Sequence, residues 1–382
     1  MKKALLLLSL GVLSLAACQK APVPAKDTTL DGQQVTVDAF SGAARKIFVL
    51  NEGGMGSNNA TLDFLRMSDG MYITGAFKKM NPSASAGLGD VGNDIAVHGN
   101  EVWMVINNSG LVEVVSAEDE TELAVIEIPT PRFIAFDDKY AYVTSWAGAF
   151  ASYGADYTIT DSANPKGQLY RINLGTRKVE GSVEVGYQPE GVAVSGGKIY
   201  VANSGGISCQ LPPTYSYDNT VSIIDAASFK VTETVEVQVN LKNVYADTKG
   251  NIYVTTLGNY NDVHSGLYRI DAAGKVSKVS DYVSVSAILG DTVYCIGTDS
   301  EFDWSAVHEY KGFSANGGTK ADWNPGVSAT TLYSLCAVNA DTFLVGDAGD
   351  YFNPGSVLCY SKGAKLWSVT AGVCPGHFAL WK

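Results

Sequence analysis

Charge is scarce in this chain. Asp, Glu, Lys and Arg make up 17% of its 382 residues, and 39 acids stand against 27 bases. A surface short of positive charge has no grip on nucleic acid or on anionic lipid. Histidine is scarcer still: His98, His264, His308 and His377 are scattered. There is no Walker loop, no GxSxG, no HExxH and no Cys-x-x-Cys, so the familiar phosphate-cradling, serine-nucleophile and zinc chemistries lack their residues. The stretch Gly87–Gly92 matches GxGxxG in form, but it opens no helix and sits in no βαβ unit. Catalytic and metal-ligating residues are therefore expected to be none.

Cysteines do not form a framework. Beyond Cys18 there are five, Cys209, Cys295, Cys336, Cys359 and Cys374, an odd number without metal-like spacing. Cys295 and Cys336 fall inside strand patterns and read as small core residues; a Cys359–Cys374 disulfide stays open. Helical apolar spacing is also missing beyond the N-terminus. The one long apolar run, Ala4–Leu15, is too short to cross a bilayer.

What the chain has is glycine (40), tyrosine (20) and a repeat. From Gly191 to Val237 four short alternating segments follow one another: Gly191–Val194, Lys198–Asn203, Thr220–Asp225 and Val231–Val237. Turn residues separate them, and only the join between the second and third is long. The pairing of an apolar strand, a tight turn and a strand like IYVAN recurs at 95–107, 134–145, 244–256, 287–296 and 335–346. Second halves recur as well, as in QLYRIN (168–173) and GLYRID (266–271). Periods of roughly 40 to 58 residues suit four-stranded propeller blades. At the ends, Lys46–Leu50, Thr61–Leu65 and Tyr72–Phe77 lack a first strand, whereas Gly376–Trp381 is a strand without a blade. Joined, they close a ring and remove its open edges. The prediction is an all-β, seven-bladed β-propeller of four-stranded antiparallel blades over 45–382, closed by N- and C-terminal strands.

Residues 1–17 read as a signal peptide, with Lys2 and Lys3 ahead of the apolar run. Leu15-Ala16-Ala17-Cys18 resembles the bacterial lipoprotein box, which makes Cys18 the lipidation site. Gln19–Ala44 is aperiodic and rich in Ala, Pro and Thr, a flexible tether completing 18–44. Losing the two leader lysines takes the charge from −12 to about −14. Acyl chains would then supply the membrane attachment.

Loops after each blade's second strand, and those between blades, emerge round the channel on one face. Here they are long and rich in aromatic and amide side chains, and a long loop in a compact domain usually binds something. The aromatic wall candidates are Trp146, Tyr187, Tyr217, Tyr260, Trp304 and Tyr351. The polar candidates are Glu52, Asn58, Asp94, Asn107, Glu190, Asn203, Asn243, Asp347 and His377. Asp262, Asp347 and Asp350 have no EF-hand spacing to hold calcium.

The phrases IYVANSGG (199–206) and DNTVSIID (218–225) resemble the YVTN repeat of seven-bladed propellers. FVLNEGGMGSN (48–58) with Thr61-Leu62-Asp63, LGDVGND (88–94) and GYQPE (186–190), together with the lipoprotein start, resemble the BtuG-type surface lipoproteins of Bacteroidetes. That resemblance spans essentially the whole mature domain. It implies an outer-membrane lipoprotein, with no cofactor of its own, that captures cobalamin or a related corrinoid and passes it to a TonB-dependent, BtuB-like transporter. In one respect the chain departs from the family: acids commonly follow the lipidated cysteine, but here Gln19-Lys20-Ala21-Pro22 precede the first, Asp27. The periplasmic face of the outer membrane thus stays open beside the cell surface. Two rival readings stand: a non-enzymatic envelope scaffold gripping a protein, peptide or glycan, and a propeller lyase or lactonase with a metal at the channel mouth.

Overall fold

A computed structural model describes residues 32–84, 87–147, 166–205, 207–208, 214–215, 217–298 and 310–382. These residues form a seven-bladed β-propeller, seven antiparallel sheets set round one channel. Blade four shows the plan: Pro189–Ser195, Lys198–Asn203, Thr220–Asp225 and Lys230–Glu236 pair in sequence order from the channel outward. From its long loop rises a small backbone ribbon, Ile207–Ser208 with Thr214–Tyr215.

Position in the blade explains the burial of each strand. Second strands such as Lys46–Asn51 and Ile252–Thr256 are buried along their whole length, because both faces press on neighbouring blades. They therefore read as nearly unbroken apolar runs. The outer strand Lys230–Glu236 (KVTETVE) is exposed at almost every residue, and its charges protect an open sheet edge.

The core is divided into seven parts, one at each blade junction. Phe48, Ile95 and Met104 fill the first; Trp103 and Val143 the second; Tyr142 and Val201 the third. Val221 and Val254, Tyr253 and Cys295, and Ile296 and Val345 fill the next three. Ile47, Cys336 and Cys359 belong to the last, where blade seven meets blade one. Cys295, Cys336, Cys359 and Cys374 are buried free thiols, so Cys359 and Cys374 are not bridged.

The ring closes as expected. Pro375–Trp381 is the innermost strand of blade one and pairs with Lys46–Asn51, from Lys46 opposite Trp381 to Leu50 opposite His377. The outer part of that blade differs from the expectation. Its fourth strand is only Met71–Ile73, and Ala76–Met80 is a short helix rather than the end of a strand through Phe77. Gly75, at φ +63°, turns the chain there and donates its N–H to Asp63 Oδ1 at 2.8 Å. Gln33–Gln34 then pairs with Met71 and Tyr72 as a fifth strand.

The later part of the range assigned to a tether, Gln19–Ala44, belongs to the propeller instead, and residues 19–31 lie outside the described residues. Val35, Phe40 and Ala44 are buried at the junction of blades seven and one, and Phe40 stacks on Trp367 with ring centroids 6.2 Å apart. Thr342 Oγ1 and Asn339 Nδ2 both donate to the Ala39 carbonyl at 2.9 Å. Cys18 and its leader lie outside the described residues. Among those that are described, no helix is long and apolar enough to cross a membrane.

One buried acid gives a stability prediction. Glu113 is 4% exposed, and its Oε1 has no hydrogen-bond partner among the described residues. Burial, reinforced by the charge of Glu122, pushes its carboxyl up to about 8 from an ordinary 4.5. Between those pH values the unfolded chain releases a proton that the folded state keeps, so stability falls as pH rises through the window. Glu113→Gln is expected to stabilise the fold at pH 8 by roughly 2–4 kcal/mol and to leave it unchanged at pH 4. Urea unfolding at both values checks this; an equal gain at each would remove ionisation as the cause.

Candidate functional site

The seven inner strands enclose a channel of about 440 Å³. Their entry is a repeated device. In blades one to six a non-glycine residue with positive φ precedes the inner strand: Cys374, Val91, Thr130, Gln188, Asn240 and Tyr282. The register then shifts in blades one to five and seven, so that bulged residues sit at the mouth. A bulge re-aims side chains that a regular strand would send into the sheet. Asn93, Arg132, Glu190, Lys242, Tyr333 and Gly376 occupy these bulges.

Glu52, just beyond the second strand of blade one, collects the polar groups on one side. Tyr333 Oη donates to its Oε2 at 2.6 Å, and His377 Nε2 lies 3.2 Å from its Oε1. A Cβ on Gly376 would come within 2.6 Å of that Oε1, so glycine there lets the carboxylate approach. Burial pushes the Glu52 carboxyl up, but the hydrogen bond and charge of His377, the Tyr333 hydroxyl and the charge of Lys242 together hold it below its ordinary value. Asp94 Oδ1 is 3.8 Å from His377 Nδ1. The Asp94 oxygens also accept the N–H groups of Ile95 and Ile134, each at 2.9 Å, tying the inner strands of blades two and three. Burial raises Asp94 to about 6 against the opposing pull of His377, those amides and Arg132.

On the next blades Arg132 grips Glu190 with two parallel bonds, Nε to Oε1 at 3.1 Å and a terminal nitrogen to Oε2 at 2.9 Å. Trp146 covers the pair: its Nε1 donates to Glu190 Oε1 at 3.2 Å, and its ring lies 4.5 Å from the guanidinium carbon.

The expected site residues thus divide. Glu52, Asp94, Trp146, Glu190, Asn243 and His377 come together at or beside the mouth. Tyr187, at the end of the strand Lys178–Tyr187, and Tyr260 and Tyr351, on loops, are exposed at 40%, 72% and 42%. Tyr260 and Tyr351 hold left-handed backbone (φ +56° and +67°), as does Asn58 (φ +50°) in the loop after blade one's second strand. Tyr217 is half-buried in the corresponding loop of blade four. Trp304 lies outside the described residues, as do Phe150, Tyr153 and Tyr157.

Three amide or acid positions are engaged inside the scaffold instead. Asn107 is buried with its Nδ2 on the Pro131 carbonyl at 2.8 Å, which ties blade two to blade three. Asn203 is buried between Thr220 Oγ1, Ser222 Oγ and the Gly186 N–H. Asp347 accepts the N–H groups of Thr330, Thr331 and Gly349. A polar residue ending an apolar strand looks exposed in sequence; here it satisfies backbone groups that the bulges free. His98 packs on the Phe136 ring, with centroids 5.1 Å apart.

Arg132, Lys242 and Tyr333 are mouth residues that the sequence reading passed over. Their signal was a polar side chain one place into an inner strand, which means little until the bulge is known. Among the described residues no three His, Cys, Asp or Glu side chains are grouped as a metal requires. Asp262 and Asp350 cap their own loops through Asn259 and Asn353.

No family model matches the chain, and neither does any curated protein. Among solved structures, a functionally unknown protein from Desulfotomaculum acetoxidans DSM 771 is similar over 88% of this chain and 99% of its own, at 12% identity and a TM-score of 0.58. Hydrazine synthase from Kuenenia stuttgartiensis is similar over 76% of this chain and 89% of its own, at 13% identity and a TM-score of 0.54. Likeness at such identity is of fold alone, and it places this chain with them as a β-propeller scaffold.

Proposed function

We propose that this protein is a lipid-anchored envelope propeller that captures a corrinoid on its loop face and passes it to a TonB-dependent transporter. One observation carries the reading. Met55, Tyr187, Tyr260, Tyr351 and Phe352 are large, exposed apolar side chains on the loops and strand ends of one face, round a polar mouth. Two of them, Tyr260 and Tyr351, are held in left-handed backbone, a conformation that costs a bulky residue on the order of 1–2 kcal/mol and is retained where the outward side chain has a use. A corrin is a broad flat plate edged with amides. Aromatic faces suit the plate, and the carboxylates and amides of the mouth suit the rim. The channel holds only about 440 Å³, so a ligand of that breadth would lie across the opening.

Titration with cyanocobalamin tests this, read by calorimetry and by co-elution of the red chromophore on gel filtration. Tight one-to-one binding is expected. Replacing Tyr260 and Tyr351 together by Ala should weaken it by roughly 10- to 100-fold, at about 1 kcal/mol or more for each aromatic. No binding of any corrinoid by the wild type would overturn the reading and leave a scaffold whose crown grips a macromolecule.

A further inference from the structure

Charged side chains round the mouth are hydrogen-bonded to partners, with one exception. Arg132 is taken by Glu190 and covered by Trp146; Glu52 is taken by Tyr333 and His377. Lys242, the bulge residue of Leu241–Ala246 in blade five, lines the same channel and is exposed to it. Its ammonium makes no hydrogen bond or ion pair among the described residues. The acid that feels its charge, Glu52 on blade one, already has both oxygens engaged by Tyr333 and His377.

Beside Lys242 stands Asn243. Its backbone N–H is fixed on Thr255 Oγ1 at 3.0 Å, while its carboxamide faces the channel without a partner among the described residues. Gly191 on blade four lets the two inner strands approach closely here: a Cβ there would meet the Lys242 carbonyl at 2.5 Å and Asn243 Cα at 2.8 Å. Two neighbouring residues with donor side chains, one of them charged, thus line the channel of a protein that is otherwise strongly acidic. Such a couple suits an oxyanion.

We propose that Lys242 and Asn243 form a subsite for a phosphodiester of the ligand, an inference that rests on the corrinoid reading above. A complete corrinoid has neutral amides along most of its rim and one formal anion at its periphery, the phosphodiester of the nucleotide tail. The subsite makes the protein select corrinoids that carry this tail over the bare amide-edged ring.

The test compares cyanocobalamin with dicyanocobinamide, which lacks the phosphodiester, on the wild type, Lys242→Met and Lys242→Arg by calorimetry at two salt concentrations. Wild type is expected to prefer cyanocobalamin. Lys242→Met should weaken cyanocobalamin by about 10-fold or more, the scale of a charge-assisted hydrogen bond, and leave dicyanocobinamide unchanged. Lys242→Arg should keep most of the preference. Added salt should weaken only the complex of the wild type or Lys242→Arg with cyanocobalamin. Equal losses for both ligands in Lys242→Met, or no loss for either, would overturn the subsite while leaving corrinoid capture standing. Binding of neither ligand by the wild type would overturn both. If Lys242→Met does not fold, the salt response of the wild type and Lys242→Arg decides the matter: equal sensitivity for both ligands overturns the subsite.

Discussion

Deleting residues 375–382 is expected to abolish the cooperative fold. Those residues supply the innermost strand of blade one, and Lys46–Asn51 would lose its inner partner along the whole ladder, keeping only Thr61–Arg66 on its other side. The strand left bare contains Ile47, Phe48, Val49 and Leu50, each fully buried in the intact ring. An apolar edge of that kind templates aggregation. The deletion also empties two of the junction cores, since Ala379 and Trp381 pack between blades one and two while Phe378 and Leu380 pack towards blade seven. A milder version isolates the packing. Trp381 is 3% exposed, with the Arg45 guanidinium carbon 4.0 Å from its ring centroid. Trp381→Ala should cost about 3–5 kcal/mol. Far-UV circular dichroism and gel filtration report on the deletion, and urea unfolding on the point variant. A monomeric, cooperatively melting deletion variant would show that six blades hold the ring without the closing strand.

Glu190→Ala should be among the most damaging point changes at the mouth. It would leave Arg132, whose side chain is 16% exposed, with neither of its two carboxylate oxygens. Trp146 Nε1 would lose its bond to Glu190 as well. Stranding a buried charge costs roughly 3–5 kcal/mol, more than the intact pair contributes over an apolar replacement. The double variant Arg132→Met, Glu190→Leu should therefore recover most of the loss. Denaturant midpoints of the singles and the double form the cycle. A Glu190→Ala protein as stable as wild type would mean that Arg132 finds water or another acid, and that the pair does not fix the mouth.

Much of this architecture was legible before any coordinates. Lys198–Asn203 and Thr220–Asp225 were read with the bounds they have, because strand alternation is local and the turns between strands carry glycine or small polar residues. Closure by Gly376–Trp381 was legible too, since an orphan strand at one end and a three-stranded blade at the other have one economical solution. Blade one's edge was less so. Phe77 and Phe40 look alike in sequence, one at the end of an expected strand and the other in an Ala-, Pro- and Thr-rich stretch. Only the packed junction shows that the first turns into a helix and the second is core.

The sequence by itself determined the blades, their number and order, because each depends on a period of two within strands and a repeat between them. Tertiary structure decided what the mouth is made of. Six bulges and six left-handed connectors shift the register where the inner strands begin, and a shift of one residue exchanges the face on which a side chain lies. That is why Asn107 and Asn203, polar residues at strand ends, became braces inside the sheets. It is also why Lys242 and Tyr333, just ahead of the segments read as strands (244–256 and 335–346), came to line the channel, and why Arg132, just ahead of 134–145, came to stand beside its mouth.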